Sequence, residues 1–350
     1  MVVLEEKYGV PPFSILDTRL AYWTKRRNEW NTLGIKSDLG RNSINDPVSM
    51  SRNDKWLEKK GLSKIRDESN VRVSIFDPVL CELIYKWFCP INGKILDPFA
   101  GGSVRGIVAS KLNFNYTGVD LRDEQILANI DNFNELDNLQ TSPNWICSDS
   151  MNIDKLGIEQ SDLLFSCPPY HDLEIYSDNM KDISNMNYKD FLTNYEVIIK
   201  KSIGLLKNNR FAVFVVGEIR DEDGFYKNFI HDTISIFIRN GMKFYNDIIL
   251  VGSIGSMSLR VDQWFSLYRK VGKIHQNVLV FYKGDPKTMK PYDIPSPFFQ
   301  PLDIKYEKRV IDRVLTTKTD VIMCDICNTK CNNRNEYDMH LTRPFHLNSI

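Results

Sequence analysis

The chain has 350 residues, enough for one large α/β domain with small appendages. Apolar residues make up 42% and charged residues 26%, ordinary values for a globular protein that buries a core. With 45 basic and 45 acidic side chains the formal net charge is zero, which excludes attraction to nucleic acid by overall charge alone, so such a partner must be met at local sites.

The opening Met1-Val2-Val3-Leu4-Glu5-Glu6 is acidic and has no long apolar run, unlike a signal peptide. Phe211 to Val216, the most apolar stretch, is too short to span a bilayer. A cytoplasmic setting is therefore expected. Residues 1–70 form a polar extension in which aromatic and basic side chains interleave (Tyr22, Trp23, Lys25, Arg26, Arg27, Trp30). From 71 to 285 short apolar or β-branched runs alternate with helix-length segments. The runs are Lys94–Phe99, Tyr116–Asp120, Trp145–Asp149, Asp162–Cys167, Phe211–Ile219, Phe244–Val251 and Gln276–Tyr282. That alternation predicts an α/β fold with a doubly wound, mainly parallel sheet.

The first run ends in Asp97-Pro98-Phe99-Ala100-Gly101-Gly102-Ser103 and leads into a helix-compatible stretch, Val104–Leu112. Glycines let the backbone approach a ligand closely, and the helix start offers unpaired N–H groups. The spacing is not that of a phosphate-binding loop. Asp97 would repel phosphate and suits a ligand with an ammonium group. The next run ends at Asp120, about twenty residues on, where a carboxylate commonly meets ribose hydroxyls. The third ends at Asp149, placed for an adenine amino group. Amine, ribose and adenine without phosphate describe S-adenosylmethionine. The alternative for each Asp is a helix or turn cap.

The fourth run ends Ser166-Cys167-Pro168-Pro169-Tyr170. Two prolines stop the ladder and stiffen the backbone at the carboxyl end of the sheet, where ligands bind. Tyr170 then presents a flat face for an extruded base. Further on, Arg260, Trp264, Tyr268, Arg269, Lys270 and Lys273, together with Lys25, Arg26 and Arg27, are candidate nucleic-acid contacts, each weighed against a solvated helix face. Five prolines between Pro286 and Pro301 mark an extended linker or wrapping arm, residues 286–322. The tail, 323–350, holds Cys324-x2-Cys327-x12-His340-x5-His346, the spacing of a two-Cys, two-His zinc finger. Cys331 and Tyr337 are placed for its small core. So short a tail needs the metal to fold. Its charges balance, so a base-reading and a structural or protein-contact role stand side by side.

These motifs resemble the DNA amino-methyltransferases, which make N6-methyladenine or N4-methylcytosine. The matching residues are Asp97-Pro98-Phe99-Ala100-Gly101-Gly102-Ser103 and Cys167-Pro168-Pro169-Tyr170, with Phe76-Asp77-Pro78-Val79-Leu80-Cys81-Glu82-Leu83 similar to the segment that closes over the methionine part. Lys273 to Phe281 looks like the family's late strand, and the wording is especially similar to methylases of bacteriophages and prophages, where restriction–modification is one setting. The resemblance covers roughly residues 70–285. It implies a Rossmann-like class I methyltransferase domain, with S-adenosylmethionine held by Phe76, Asp97, Phe99, Gly101, Gly102, Ser103, Asp120 and Asp149. The target base is met by Cys167, Pro168, Pro169 and Tyr170. The implied partner is DNA, double-stranded with base flipping or single-stranded, bound by a monomer or weak dimer. Adenine N6 is the first target expected and cytosine N4 the second. RNA methylation and a catalytically silent binding module are the alternatives.

Two departures from the family pattern stand out. The glycine motif precedes the Pro-Pro-Tyr motif, whereas many members with an Asp-Pro-Phe motif have the reverse order. The residue before the prolines is Cys167 rather than Asp, Asn or Ser, and a thiol is a weak hydrogen-bond acceptor. Ser166, Asp172 and Glu174 are candidates to replace that acceptor, while the carbonyl of Pro168 is placed for one N–H of the target amine. A thiolate of Cys167 adding to a pyrimidine ring is the covalent alternative.

Overall fold

The computed structural model describes residues 2–36, 76–302 apart from 174, 175 and 178, and the short strands 322–323 and 330–331. The chain divides into two compact units, Met1–Leu302 and Asp303–Ile350. Sequence reading placed its boundaries instead near 70, 285 and 322.

The first unit opens with α1 (Val2–Tyr8), β1 (Ile15–Asp17) and α2 (Ala21–Asn31). Next come α3 (Pro78–Phe88), β2 (Lys94–Asp97), α4 (Val104–Lys111), β3 (Asn115–Asp120), α5 (Asp123–Asn134) and β4 (Asn144–Cys147). The remainder is β5 (Ser161–Ser166), α6 (Tyr188–Gly204), β6 (Leu206–Val216), α7 (Phe229–Arg239), β7 (Lys243–Val251), α8 (Ser258–Tyr268) and β8 (His275–Lys283). All seven strands expected from the apolar runs form. The eight strands lie in the order β1-β7-β8-β6-β5-β2-β3-β4, and only β8 runs antiparallel to its neighbours. The chain moves from β2 outward to β3 and β4, then from β5 in the opposite direction to β6. The fold is a Rossmann-like, doubly wound α/β sheet.

The central strands are buried on both faces, which is why they read as continuous apolar runs. Along β6, Ala212, Phe214 and Val216 join a core with Phe191, Tyr195, Ile198 and Ile199 of α6 and Phe229, Ile236 and Phe237 of α7. The alternate residue Phe211 meets Phe88 of α3 on the opposite face, ring centroids 5.2 Å apart, and Phe165 of β5 meets Tyr85 at 5.5 Å. Side-chain period two along the strands thus feeds two helical layers. Truncating one such fully buried ring to alanine costs about 3–5 kcal/mol.

The N-terminal segment is part of this layer packing, a role its polarity conceals. Trp23, Arg26 and Trp30 of α2 are buried against α3. Arg26 and the Trp30 indole both bond Glu82, at 2.8 Å, and Lys86 joins the same carboxylate at 2.7 Å. Sequence periodicity misses α2 because its inward face is built from tryptophan and a neutralised arginine rather than aliphatic residues. The proline-rich arm contributes too: backbone carbonyls of Phe298 and Gln300 accept from Lys86 and Arg26.

In the second unit the described residues form one antiparallel ladder, β9 (Ile322–Met323) with β10 (Lys330–Cys331), pairing Met323 with Lys330 and Ile322 with Cys331. Among the described residues no helix is long and apolar enough to cross a membrane.

Candidate active site

Strand order reverses between β2 and β5, and at such a switch point the loops diverge and leave a crevice at the carboxyl ends. A cavity of about 690 Å³ opens there. From the β2–β4 side it is lined by Phe99, Gly101, Asp120 and Asp149, with Phe76 from just before α3; from the β5–β8 side come Cys167, Pro168, Pro169, Tyr170 and Gln276. The two motifs, seventy residues apart in the chain, thus share one cleft.

The glycine loop is held from both sides. Gly101, at φ 51°, gives its N–H to Asp120 Oδ2 at 2.8 Å, and its carbonyl accepts from Asn129 Nδ2 at 2.7 Å. Asp120 also receives the Arg122 N–H on Oδ1 at 3.0 Å. Gly118 on β3 is required by close approach: a Cβ there would lie 2.8 Å from Ala100 Cβ and 2.7 Å from the Tyr116 ring.

Asp97 has a different position from the one its type suggested. Its carboxylate is fully buried and does not line the cavity. Arg105 Nε bonds Oδ2 at 2.5 Å, the Tyr116 hydroxyl bonds the same oxygen at 2.8 Å, and the Ser166 hydroxyl takes Oδ1 at 2.5 Å. A carboxylate so enclosed must be neutralised inside the protein. Arg105 does this, and its other donors tie the carbonyls of Phe99 and Ala100, at 2.6 and 2.8 Å. Direct contact of Asp97 with a ligand ammonium is thereby corrected to support of the loop from beneath. Ser103 is corrected likewise: it is buried and gives its hydroxyl to Asn132 Oδ1 at 2.8 Å. Gly102 is buried and absent from the lining. Asp149 follows β4 rather than ending it and caps a short 3-10 helix by accepting from Met151 N–H at 2.9 Å, yet it still lines the cavity.

On the other wall the Tyr170 hydroxyl is a junction. It donates to the Val215 carbonyl at 3.2 Å, receives Gln276 Nε2 at 2.9 Å and lies 3.5 Å from Cys167 Sγ. Burial pushes its pKa well above the usual tyrosine value, so it stays a neutral donor. Gly217 leaves room for the ring, since a Cβ there would lie 3.0 Å from Tyr170 Cε2. Of the candidates to stand in for Cys167 as acceptor, Ser166 is buried and committed to Asp97. Asp172 pairs with His171 and Lys227 at 2.8 and 3.4 Å and does not line the cavity. Glu174 lies outside the described residues.

The excursion between β7 and β8 rises from this same edge, and Gly252, Ser253, Lys273 and Ile274 at its two feet line the cavity. Above them Phe265, Leu267, Tyr268 and Val271 are exposed beside Arg269 and Lys270. Burial lowers the Lys273 pKa. Of the N-terminal cations, Arg26 is corrected: it is buried against Glu82 and does not face a polyanion, while Arg27 is half-buried and bonds Asp77 at 2.5 Å and Lys25 is exposed. Cys324, Cys327, His340 and His346 lie outside the described residues. Among the described residues no three His, Cys, Asp or Glu side chains gather as metal ligands.

Sequence reading missed Arg105, Gln125 and Gln276 as cavity residues. Arg105 carried a signal, a lone cation in an otherwise apolar helix start, which implies a buried counter-charge. Gln276 carried none, because its place depends on an antiparallel strand inserted next to β6.

The lining places the carboxylates of Asp120 and Asp149 beside the rings of Phe76 and Phe99, groups able to meet the hydroxyls, amine and ring of a nucleoside. No protein-family model and no curated protein matches the chain. Solved structures similar to it include TrmN from Thermus thermophilus, 12% identical over 61% of this chain and 51% of that one, TM-score 0.40. The match thus spans about half the length of TrmN. The magnesium protoporphyrin IX methyltransferase ChlM of Synechocystis PCC 6803, with bound SAM, is 10% identical over 70% and 97%, TM-score 0.39. A methyltransferase from Pyrococcus furiosus is 16% identical over 67% and 98%, TM-score 0.38.

Proposed function

We propose that this chain is an S-adenosylmethionine-dependent methyltransferase acting on an exocyclic amino group of a DNA base, adenine N6 first and cytosine N4 second. The observation that carries the reading is the single cleft joining Asp120 and Asp149 to Cys167-Pro168-Pro169-Tyr170 at the switch point of the sheet.

In this reading Asp120 holds the ribose and Asp149 the adenine edge, while Phe76 and Phe99 flank the site. When bound, the cofactor supplies an electrophilic methyl group. The protein's task is then positioning and electrostatics, since an exocyclic amine is a poor nucleophile until its N–H groups are oriented. The Pro168 carbonyl accepts one N–H, Tyr170 stacks on the base, and the buried wall excludes water. The base reaches the cleft outside its stack, so the DNA is single-stranded or flips the base. The exposed aromatic and basic residues of the β7–β8 excursion grip the strand, by ring stacking and phosphate contact. The C-terminal Cys324, Cys327, His340 and His346 bind one structural zinc ion.

The test is twofold. Calorimetry of the purified chain with S-adenosylhomocysteine gives saturable binding, and mass spectrometry of nucleosides from DNA of expressing cells reveals N6-methyladenine or N4-methylcytosine. Methylation confined to RNA moves the assignment to that polymer, and absence of cofactor binding removes the enzymatic reading. Cys167→Ser separates the amine route from a covalent one, which requires the thiolate and is abolished by the change.

A further inference from the structure

We propose that the side-chain carbonyl of Gln276 supplies the hydrogen-bond acceptor for the target amino group that the weakly accepting Cys167 does not. The inference rests on the function proposed above and names the group that completes its site. An amine oriented for attack needs acceptors for both of its hydrogens, and the Pro168 carbonyl serves only one. Ser166 is turned away to Asp97, and Asp172 is engaged outside the cavity.

Gln276 stands at the start of β8, two strands across the sheet from Cys167, and lines the same cavity. Its amide orientation follows from hydrogen-bond logic. The Val215 carbonyl can only accept, so the Tyr170 hydroxyl proton, 3.2 Å away, is committed to it. The phenol oxygen must then accept from Gln276, which presents Nε2 at 2.9 Å and leaves Oε1 as the other end of the amide. No described residue donates to Oε1. Cys167 Sγ, 3.5 Å from the same phenol oxygen, marks how near this amide lies to the position before the prolines. An amide oxygen is a far better acceptor than a thiol. The site thus keeps the chemistry of an Asn or Asp at that position but draws the acceptor from a different strand.

The experiment uses the full chain and tritiated S-adenosylmethionine with DNA as acceptor. Gln276→Leu keeps the volume and removes the carbonyl. The expected result is a fall in kcat of about a hundred-fold, with S-adenosylhomocysteine affinity within about two-fold of wild type. Adding Cys167→Asn to that variant restores the acceptor at the neighbouring position and recovers at least about ten-fold in kcat. A purely structural role for Gln276 gives no such rescue. Activity of Gln276→Leu near the wild-type level, or a loss that Cys167→Asn leaves untouched, overturns the proposal. A wild-type protein that binds S-adenosylhomocysteine but transfers nothing to DNA refutes the underlying function instead, and Gln276 with it.

Discussion

Replacing Asp97 by asparagine distinguishes a ligand-binding carboxylate from one that holds the loop. The Asp97–Arg105 pair is 0% and 6% exposed at its side chains, with a 2.5 Å contact. Burial alone would lower the Arg105 pKa, and in the wild type the Asp97 charge overrides this and raises it. An arginine guanidinium is not deprotonated inside proteins even without such a partner, so it keeps its charge in the variant. Removing one partner of such a pair leaves an uncompensated buried ion, at a cost of about 3–5 kcal/mol. In a unit of 302 residues, about 2 °C per kcal/mol translates this into a fall in Tm of roughly 6–10 °C. Thermal unfolding followed by circular dichroism reads it. The double variant Asp97→Asn with Arg105→Met removes the orphaned charge and regains a large part of the loss. If Asp97→Asn melts within about 2 °C of wild type while S-adenosylhomocysteine binding collapses, Asp97 is a direct ligand and not the support of the loop.

Three further outcomes are expected. Gly118→Ala forces a Cβ to within 2.8 Å of Ala100 Cβ, so loop and strand must part; stability falls by about 1–3 kcal/mol and cofactor affinity falls with it, as denaturation and calorimetry on one sample will show. Burial pushes the Glu82 carboxyl up, but hydrogen bonds from Arg26 and the charges of Lys86 and Arg26 hold it below its ordinary 4.5. A carboxyl lower in the folded than in the unfolded chain adds stability above the unfolded pKa, lost as pH falls through the folded one. Glu82→Gln therefore weakens the protein at neutral pH and flattens the acid limb of its stability curve below about 4.5; parallel acid limbs for variant and wild type exclude this. Finally, the purified chain carries one zinc per molecule by atomic emission, and Cys324→Ser with Cys327→Ser abolishes it while S-adenosylhomocysteine binding persists.

What the sequence could reveal follows from the range of each interaction. The seven apolar runs announced seven strands because a sheet buried on both faces demands unbroken apolar residues, and that demand is local. Asp120, Phe99 and Gly101 were recognisable because the chain itself carries them from a strand end into a turn. The Pro168-Pro169-Tyr170 corner was visible for the same reason. Strand β1 and helix α2 were hidden, since Ile15–Asp17 is too short to show a period and α2 buries tryptophan and arginine whose partners, Asp77 and Glu82, lie fifty residues on.

Tertiary structure alone decided which carboxylates face the cleft. Asp97 and Asp120 both end strands beside the same loop, yet Arg105, Tyr116 and Ser166 enclose the first while the second lines the cavity. It also decided that Gln276 meets Tyr170, because an antiparallel β8 inserted between β6 and β7 brings its first residues to the carboxyl edge of the parallel strands. Residue type reports what a side chain is able to do; burial and the partners brought from distant strands determine what it does.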